Sequence, residues 1–405
     1  MTDAAAVTAI RPAFAGWLGT TNEVTRGFLA AGGIPDLINL AGGLPPSEVF
    51  PAADLAELAR QAILDHPRET LGYGPIEGLP DLRDALARRF SGPGLRLRRE
   101  NVLVTTSGMQ GLDLLGKILL EEGGVIAGQF PTYLGALDAW RPRCPRYRRL
   151  DLEAEDFDPL ALLTGAQFAY SVPNFSNPTG RLIGLETRRA LVAAAEASGT
   201  WLVEDDPYGN LYLEGAPLPK LIEISGSVQS GEGYGGPVIY LGTLSKQVVP
   251  GLRIGWMIAA PEIVEAATIA KQGSDMCTSG LTQRIALAAL DSGLIDREQD
   301  AIRALYRERR DALCAALQVH LAARFDWEVP SGGMFVWAVA RDPAFDSDRL
   351  MRIALDRGVC VSPSSVFDPE GENRRALRLN FSLNSPERLR EGVRRLGLAV
   401  TALEA

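Results

Sequence analysis

The chain has 405 residues, 46% hydrophobic and 22% charged, a globular composition whose length exceeds one ordinary core and predicts two domains. Its 41 Lys and Arg against 50 Asp and Glu leave a net charge of −9, which speaks against a nucleic-acid partner, because phosphates require a basic face. With only two histidines, His66 and His320, a multi-histidine metal centre is nearly excluded, and no metal is expected. The cysteines Cys144, Cys277, Cys314 and Cys360 form no C-x-x-C pair and are too sparse for a disulfide scaffold, so a reduced cytoplasmic setting is expected. The N-terminus does not read as a signal peptide. No apolar run approaches the roughly 18 residues of a membrane span.

In chain order, Leu79, Leu82, Leu86 and Phe90 recur at helical spacing and predict a helix over 77–90. Residues 102–104 read as a strand and 108–120 as a helix with Leu112, Leu115 and Leu119 on one side. Short apolar runs at 125–127, 167–172, 201–204, 238–241 and 254–260 read as further strands, with helix-like stretches such as 185–198 between them. Strands alternating with helices, several apolar throughout, indicate an α/β layer around a mainly parallel buried sheet. After about residue 290 the character changes. Long charged helices over 294–318 and 386–403 flank strands at 334–339 and 377–382, which indicates a smaller α+β domain joined by the N-terminal segment.

The stretch 231–236 matches G-x-G-x-x-G but precedes a strand instead of following one, so it reads as loop composition. Neither a G-x-x-x-x-G-K-[ST] phosphate loop nor a G-x-S-x-G elbow occurs, which weakens the NTPase and serine-hydrolase readings.

The most informative segment is 238–256. An apolar strand ends in Thr243, Ser245 and Lys246, and Arg253 follows seven positions after the lysine. Taken alone, a Ser-Lys pair is usually a solvated turn. Here the lysine follows a buried strand and precedes an apolar stretch, so desolvation and neighbouring cations would lower its pKa and make the amine a nucleophile towards an aldehyde. Thr243, Ser245 and Arg253 would meanwhile supply donors for an anion. A Schiff-base lysine beside a phosphate cup is what pyridoxal 5′-phosphate (PLP) requires.

Other segments supply compatible parts. Residues 102–111 read as strand, turn and helix start; Ser107-Gly108 taken alone is an ordinary N-cap, but beside the Lys246 segment the backbone N–H groups and helix dipole there suit a phosphate. The strand from Trp201 ends at Glu204, Asp205 and Asp206, with Tyr208 beyond. At the C-terminal end of a parallel strand, a carboxylate can pair with a protonated pyridine nitrogen, and a tyrosine can reach the phenolic oxygen of the ring. The alternative is an N-cap Asp with a packed Tyr. Asn177, before Pro178, makes either a sharp loop or an amide donor to the same phenolic oxygen. Tyr133 stacks on the ring or is a core aromatic. Arg378, in an alternating strand, is either an exposed strand arginine or a planar fork for a carboxylate.

The ordered segments Ser107-Gly108-Met109-Gln110, Pro131-Thr132-Tyr133, Asn177-Pro178-Thr179-Gly180, Asp205-Asp206-Pro207-Tyr208, Ser245-Lys246 and Arg378-Leu379-Asn380 resemble the class I/II, fold-type-I PLP aminotransferases. Within them the chain looks most like the 2-aminoadipate and aromatic aminotransferases related to the C-terminal domains of MocR-type regulators. The resemblance implies an α/β fold with a seven-stranded, mainly parallel sheet. It places a large PLP-binding domain over 45–290 and a small α+β domain from 1–44 and 291–405. It implies that Lys246 carries the cofactor and shuttles the substrate proton, and that Asp205 holds the pyridinium. Tyr208 and Asn177 would bind the phenolic oxygen, and Tyr133 would stack on the ring. Ser107, Gly108, Met109, Thr243, Ser245 and Arg253 would hold the phosphate. Tyr73 would reach the phosphate of a partner subunit, which makes the expected state a homodimer with a shared active site. Arg378, Asn177 and the Gly42 backbone would take the substrate α-carboxylate, and Arg26 matches an arginine that contacts a distal carboxylate.

The expected activity is ping-pong transamination between amino-acid and 2-oxo-acid substrates, with 2-oxoglutarate as acceptor. The donor is expected to be 2-aminoadipate, glutamate, or an aromatic or branched-chain amino acid. A PLP-dependent β-lyase, decarboxylase or oxidase on the same scaffold is the alternative. A non-catalytic PLP-sensing domain fits less well, given the acidic charge and the roughly 40 residues before the first family motif.

Overall fold

The computed structural model describes residues 13–20, 36–152, 154, 156–229 and 233–404. Seven strands build the principal sheet: β1 Val102–Thr105, β2 Val125–Gln129, β3 Arg146–Leu150, β4 Phe168–Ser171, β5 Trp201–Asp205, β6 Val238–Thr243 and β7 Gly255–Ile258. Their order is β1-β7-β6-β5-β4-β2-β3. β3 through β6 and β2 pair in parallel, and only β7 runs antiparallel to its neighbours β1 and β6. The continuous apolar runs exist because both faces of the sheet are covered. Leu103 packs into one hydrophobic cluster while Val102 and Val104 pack into the other, on opposite faces of the same strand.

Two differences from the sequence reading have simple causes. β3 has the sequence Arg146-Tyr147-Arg148-Arg149-Leu150 and shows no apolar alternation. It is an edge strand, where charged side chains face solvent and block further pairing. The helix expected over 77–90 begins at Pro80, with Leu79 extended before it, because a proline at the first helical position leaves no amide unpaired.

A second, four-stranded antiparallel sheet comprises β8 Phe325–Trp327, β9 Phe335–Ala340, β10 Ser362–Pro363 and β11 Ala376–Asn380, in the order β10-β11-β9-β8. The helices Leu294–His320, Ser347–Leu355 and Pro386–Glu404 pack with it. The N-terminal segment joins this part of the molecule, since Ile38–Asn39 pairs in parallel with Val359–Cys360. Beyond that ladder further hydrogen bonds tie down the segment 39–44. The Asn380 amide donates to Leu40, and the hydroxyls of Ser362 and Ser382 donate to Ala41 and Leu44. The Asn384 side chain donates to Asn39. Among the described residues no helix is long and apolar enough to cross a membrane.

Candidate active site

The parallel strands all end at the same edge of the sheet, and the residues singled out from the sequence sit just past those ends. Ser107 follows β1, Tyr133 follows β2, Asn177 follows β4, Tyr208 follows β5 and Lys246 follows β6. This crevice beyond the carboxyl ends of the strands is where open α/β sheets present ligands.

β6 runs into a single 3-10 turn, Leu244–Lys246, capped by Thr243, whose hydroxyl oxygen accepts the Ser245 amide at 3.1 Å and donates to the Ile254 carbonyl at 3.0 Å. The Thr243 hydroxyl is thereby engaged within the turn, 3.0 Å from that of Ser245. The turn aims Lys246 across the cleft, where Nζ donates to the Gly43 carbonyl at 2.5 Å. Burial, then the charges of Arg378 and Arg253, push its ammonium down to about 8.

The cup beside it is a backbone construction. Ser107 opens the helix Ser107–Leu119 with a positive φ of 72°, held by the Thr105 hydroxyl donating to its carbonyl at 2.9 Å. Arg253, also left-handed at φ 53°, donates to the Ser107 hydroxyl at 2.6 Å. A Cβ on Gly255 would lie 2.6 Å from the Ser107 carbonyl carbon and 2.8 Å from the Gly108 nitrogen, so this close approach of β7 to the helix start requires glycine. On Gly108 a Cβ would meet nothing within 4 Å, so that face is open. Met109 is turned outward, its sulfur accepting the Tyr133 hydroxyl at 3.4 Å.

The acidic triplet at the end of β5 divides by partner. Glu204 accepts the Leu221 and Ile222 amides at 2.9 and 3.0 Å, capping the helix Leu221–Ser227. Asp206 accepts from the Asn174 amide and the Tyr240 hydroxyl. Among the described residues the Asp205 carboxyl accepts the Tyr170 hydroxyl alone, at 2.7 Å, and burial pushes it up to about 7. A carboxylate this desolvated favours a cationic partner. Tyr170 was not foreseen; a tyrosine inside a buried strand carries no signal of its partner on the next strand.

Arg378 lies on β11, directly opposite Trp337 on β9 and Ser362 on β10. It is not an exposed strand arginine. Its guanidinium is sandwiched between Phe335 and Phe367, with Cζ 4.3 and 4.7 Å from the ring centroids. Nη1 donates to Asn177 Oδ1 at 2.6 Å, and Nη2 donates to the Ala41 carbonyl and to Ser362 Oγ. Nε is buried and finds no partner among the described residues. Burial pushes this guanidinium down to about 10. Asn177 in turn donates to the Tyr208 hydroxyl at 3.5 Å, and Tyr208 meets Phe335 edge-on. The partners Ala41, Ser362, Phe335 and Phe367 come from separate segments and carried no sequence signal. The Gly42 amide is taken by Asn39 Oδ1 at 3.0 Å. Tyr73 is 88% exposed, and Arg26 lies outside the described residues.

One ammonium and two guanidiniums therefore converge on a cleft where they meet carbonyl, amide and hydroxyl oxygens, with Asp205 the buried acid beyond. The donor set calls for a polyanion, an aldehyde for the amine and a basic ring nitrogen for the acid. PLP with an amino-acid carboxylate fits all three.

Comparison with known proteins agrees. The family model for aminotransferase class I and II matches residues 35–396. The 2-aminoadipate transaminase of Thermus thermophilus is 36% identical over 376 residues, 92% of each chain. Aromatic-amino-acid aminotransferase 1 of Thermococcus litoralis is 33% identical over 89% of this chain and 87% of its own. The crystal structure of α-aminoadipate aminotransferase from Thermus thermophilus, complexed with N-(5′-phosphopyridoxyl)-L-leucine, superposes with a TM-score of 0.87 at 34% identity, covering 96% of this chain and 98% of that one. The chain belongs to the class I and II aminotransferases. It is a PLP-dependent enzyme of fold type I.

Proposed function

We propose that this aminotransferase works by a ping-pong cycle, with 2-oxoglutarate as principal acceptor. Its donors would be 2-aminoadipate, glutamate, and aromatic or branched-chain amino acids. The donor range rests on the similarity to 2-aminoadipate and aromatic aminotransferases and on the phosphopyridoxyl-leucine bound in the structural neighbour. The observation that carries the reading is the desolvated fork of Arg378, its Cζ over the rings of both Phe335 and Phe367 and its charge felt at Lys246.

When bound, PLP supplies an electrophilic aldehyde and a protonated ring that accepts electron density from the substrate Cα. Lys246 is the amine that would hold that aldehyde, and, when free, it would serve as the base and acid that takes the proton from the substrate Cα and returns it. Its pKa of about 8 suits both directions near neutral pH. Asp205 keeps the ring nitrogen protonated. Tyr208 and Asn177 donate to the phenolic oxygen, and Tyr133 covers the ring. Ser107, Gly108, Met109, Thr243, Ser245 and Arg253 build and line the phosphate cup. Arg378, Asn177 and the Gly42 backbone bind the α-carboxylate and so orient the Cα–H bond, which requires the Gly42 amide to leave Asn39 Oδ1. We read 45–290 as the cofactor-binding domain and 1–44 with 291–405 as the domain that brings Arg378. We also place Tyr73 at the phosphate of a second subunit in a homodimer, for which its exposure leaves it free.

Mixing holoenzyme with single donors in the absence of any oxo acid tests the cycle. Stoichiometric conversion of the cofactor to its amine form, with release of one oxo acid, is expected for 2-aminoadipate and leucine. Release of oxo acid, even a single equivalent per site, only when donor and acceptor are present together would sink the ping-pong assignment. Light scattering of the holoenzyme, together with activity in mixtures of Lys246→Met and Tyr73→Ala chains, checks the shared site.

A further inference from the structure

Arg188, on the helix Leu185–Ser198, has none of its surface exposed, a burial matched among the cations of the described residues only by Lys271, which pairs with Asp275. A guanidinium removed from water is costly unless each donor finds an acceptor, and here four acceptors surround it. Nε donates to the Ile183 carbonyl at 2.8 Å and Nη1 to the Pro219 carbonyl at 2.9 Å. Nη2 donates to the Pro173 carbonyl at 3.1 Å and to Asn174 Oδ1 at 2.7 Å. These acceptors are informative by position. Pro173 and Ile183 are the two ends of the loop that carries Asn177, already closed by the Ile183 amide donating to Pro173 at 2.9 Å. Pro219 closes the segment from Asp206 that carries Tyr208. Asn174 ties the two together, donating to Asp206 at 2.9 Å while accepting the Tyr212 hydroxyl at 3.3 Å. One planar fork therefore joins the bases of both loops, and their tips meet where Asn177 donates to Tyr208.

We propose that Arg188 is a positioning residue for the cofactor and the substrate carboxylate: its guanidinium fixes the loop 173–183 against the segment 206–219 and so sets where Asn177 meets Tyr208 and Arg378. This rests on the roles given above to Asn177 and Tyr208. A lysine cannot replace the fork, because a single ammonium reaches only part of a set of acceptors spread around a plane. Loosened loops weaken two things together. Donors to the phenolic oxygen stabilise its anion, so their loss moves the protonation of the bound chromophore to higher pH. Arg378 also loses the Asn177 oxygen that aligns it, so the amino donor binds less well.

The test uses holoenzyme of wild type, Arg188→Lys, Asn177→Ala and the double variant. It reads the pH midpoint of the cofactor's visible absorbance, KM for the donor and thermal stability. Arg188→Lys is expected to move the midpoint up by about half a pH unit or more and to raise KM about tenfold. In the Asn177→Ala background it should add little to either. An unchanged midpoint and KM in Arg188→Lys, with both altered in Asn177→Ala, overturns the proposal while leaving the role of Asn177 standing. Full additivity in the double variant overturns the route through Asn177. No effect of Asn177→Ala itself removes the underlying assignment, and the proposal with it. If Arg188→Lys does not fold, Asn174→Ser keeps the guanidinium and cuts its link to Asp206 and Tyr212; the same upward midpoint is expected, and its absence counts against the proposal. Arg189→Met, next in sequence but on the exposed face with Glu186, should match wild type.

Discussion

The two arginines of the cleft are built in opposite ways. Arg253 follows a short turn in the large sheet, is exposed to solvent, and takes a left-handed backbone to reach the Ser107 hydroxyl. Arg378 sits in the middle of the small sheet, 4% exposed, pressed between Phe335 and Phe367 and bonded to groups from three segments. The first belongs to a cup made chiefly of backbone, which suits a phosphate that stays. The second is desolvated and pre-aligned, which strengthens a charge-assisted bond to a carboxylate that must bind and leave in every cycle. On the roles proposed above, specificity for an α-carboxylate would be concentrated in one buried fork, and cofactor retention spread over many weak donors.

Lys246 lies between the two, and removing it gives the largest expected effect. Lys246→Met should lower the rate of the amino-acid half-reaction by at least about 10⁴-fold, the upper range for a positioned proton-transfer group, with covalent catalysis lost besides. Stopped-flow absorbance with reconstituted holoenzyme checks it; a loss under tenfold would remove the lysine from the chemistry. Arg378→Met comes next. Truncating a buried, hydrogen-bonded charge costs about 2–5 kcal/mol, so kcat/KM for an amino donor should fall roughly 30- to several thousand-fold. Cofactor affinity should stay close to wild type. Arg253→Met should do the reverse, weakening PLP binding about ten- to a hundredfold and leaving KM for the donor nearly unchanged, as loss of one charge-assisted phosphate bond predicts. If both variants changed both constants alike, the division of labour between the two arginines would be wrong.

The same lysine makes the cofactor-free protein sensitive to pH. Its ammonium titrates near 8 in the fold against an ordinary 10.5. Between those values the unfolded chain holds a proton that the folded chain has released, so stability rises with pH across that window. Below pH 8 both states are protonated and the burial penalty is felt in full. Cofactor-free Lys246→Met should therefore exceed wild type in stability by on the order of 2–3 kcal/mol at pH 7, and the gap should close towards pH 10.5. Urea denaturation at pH 7 and pH 10 measures it. A gap that does not change with pH would mean that the ammonium is not the source.

The large sheet and the cup were legible in the sequence because each depends on one short stretch. A strand buried on both faces is apolar throughout, and a strand, a turn and small hydroxyl residues follow one another within 238–256. The resemblance grouped Arg378 with Asn177 and Gly42, but its contacts with Ala41, Ser362, Phe335 and Phe367 were not legible. Ala41 lies 337 residues away in the chain and Asn177 201, so only the packing of the N-terminal segment and of the loop after β4 against the small sheet brings them to the arginine. The pairing of Tyr170 with Asp205 depends likewise on which strands are neighbours. β3 escaped notice because an edge strand rich in arginine lacks the pattern that marks buried ones. What the sequence carries locally is the attachment of each group to an element; what it leaves out is the meeting of groups across elements.

The smallest expected effect tests how far the sandwich itself contributes. Phe335 stands diagonally from Arg378 across the β9–β11 pair, and its register with Asn380 fixes the ring on one side. Phe367 closes the other side from the turn Ser364–Phe367. Each face gains a cation–π contact, worth about 0.5–2 kcal/mol depending on desolvation, and each excludes water from the fork. Phe367→Leu keeps most of the apolar cover and removes the ring, so only the electrostatic part is lost. KM for the amino donor should rise about three- to tenfold, with kcat, PLP affinity and thermal stability near wild type. The same substitution in an Arg378→Met background should have no further effect on KM, because the ring would then have no cation to face. An equal rise in both backgrounds would make Phe367 a wall of the substrate pocket and leave the alignment of Arg378 to its hydrogen bonds alone.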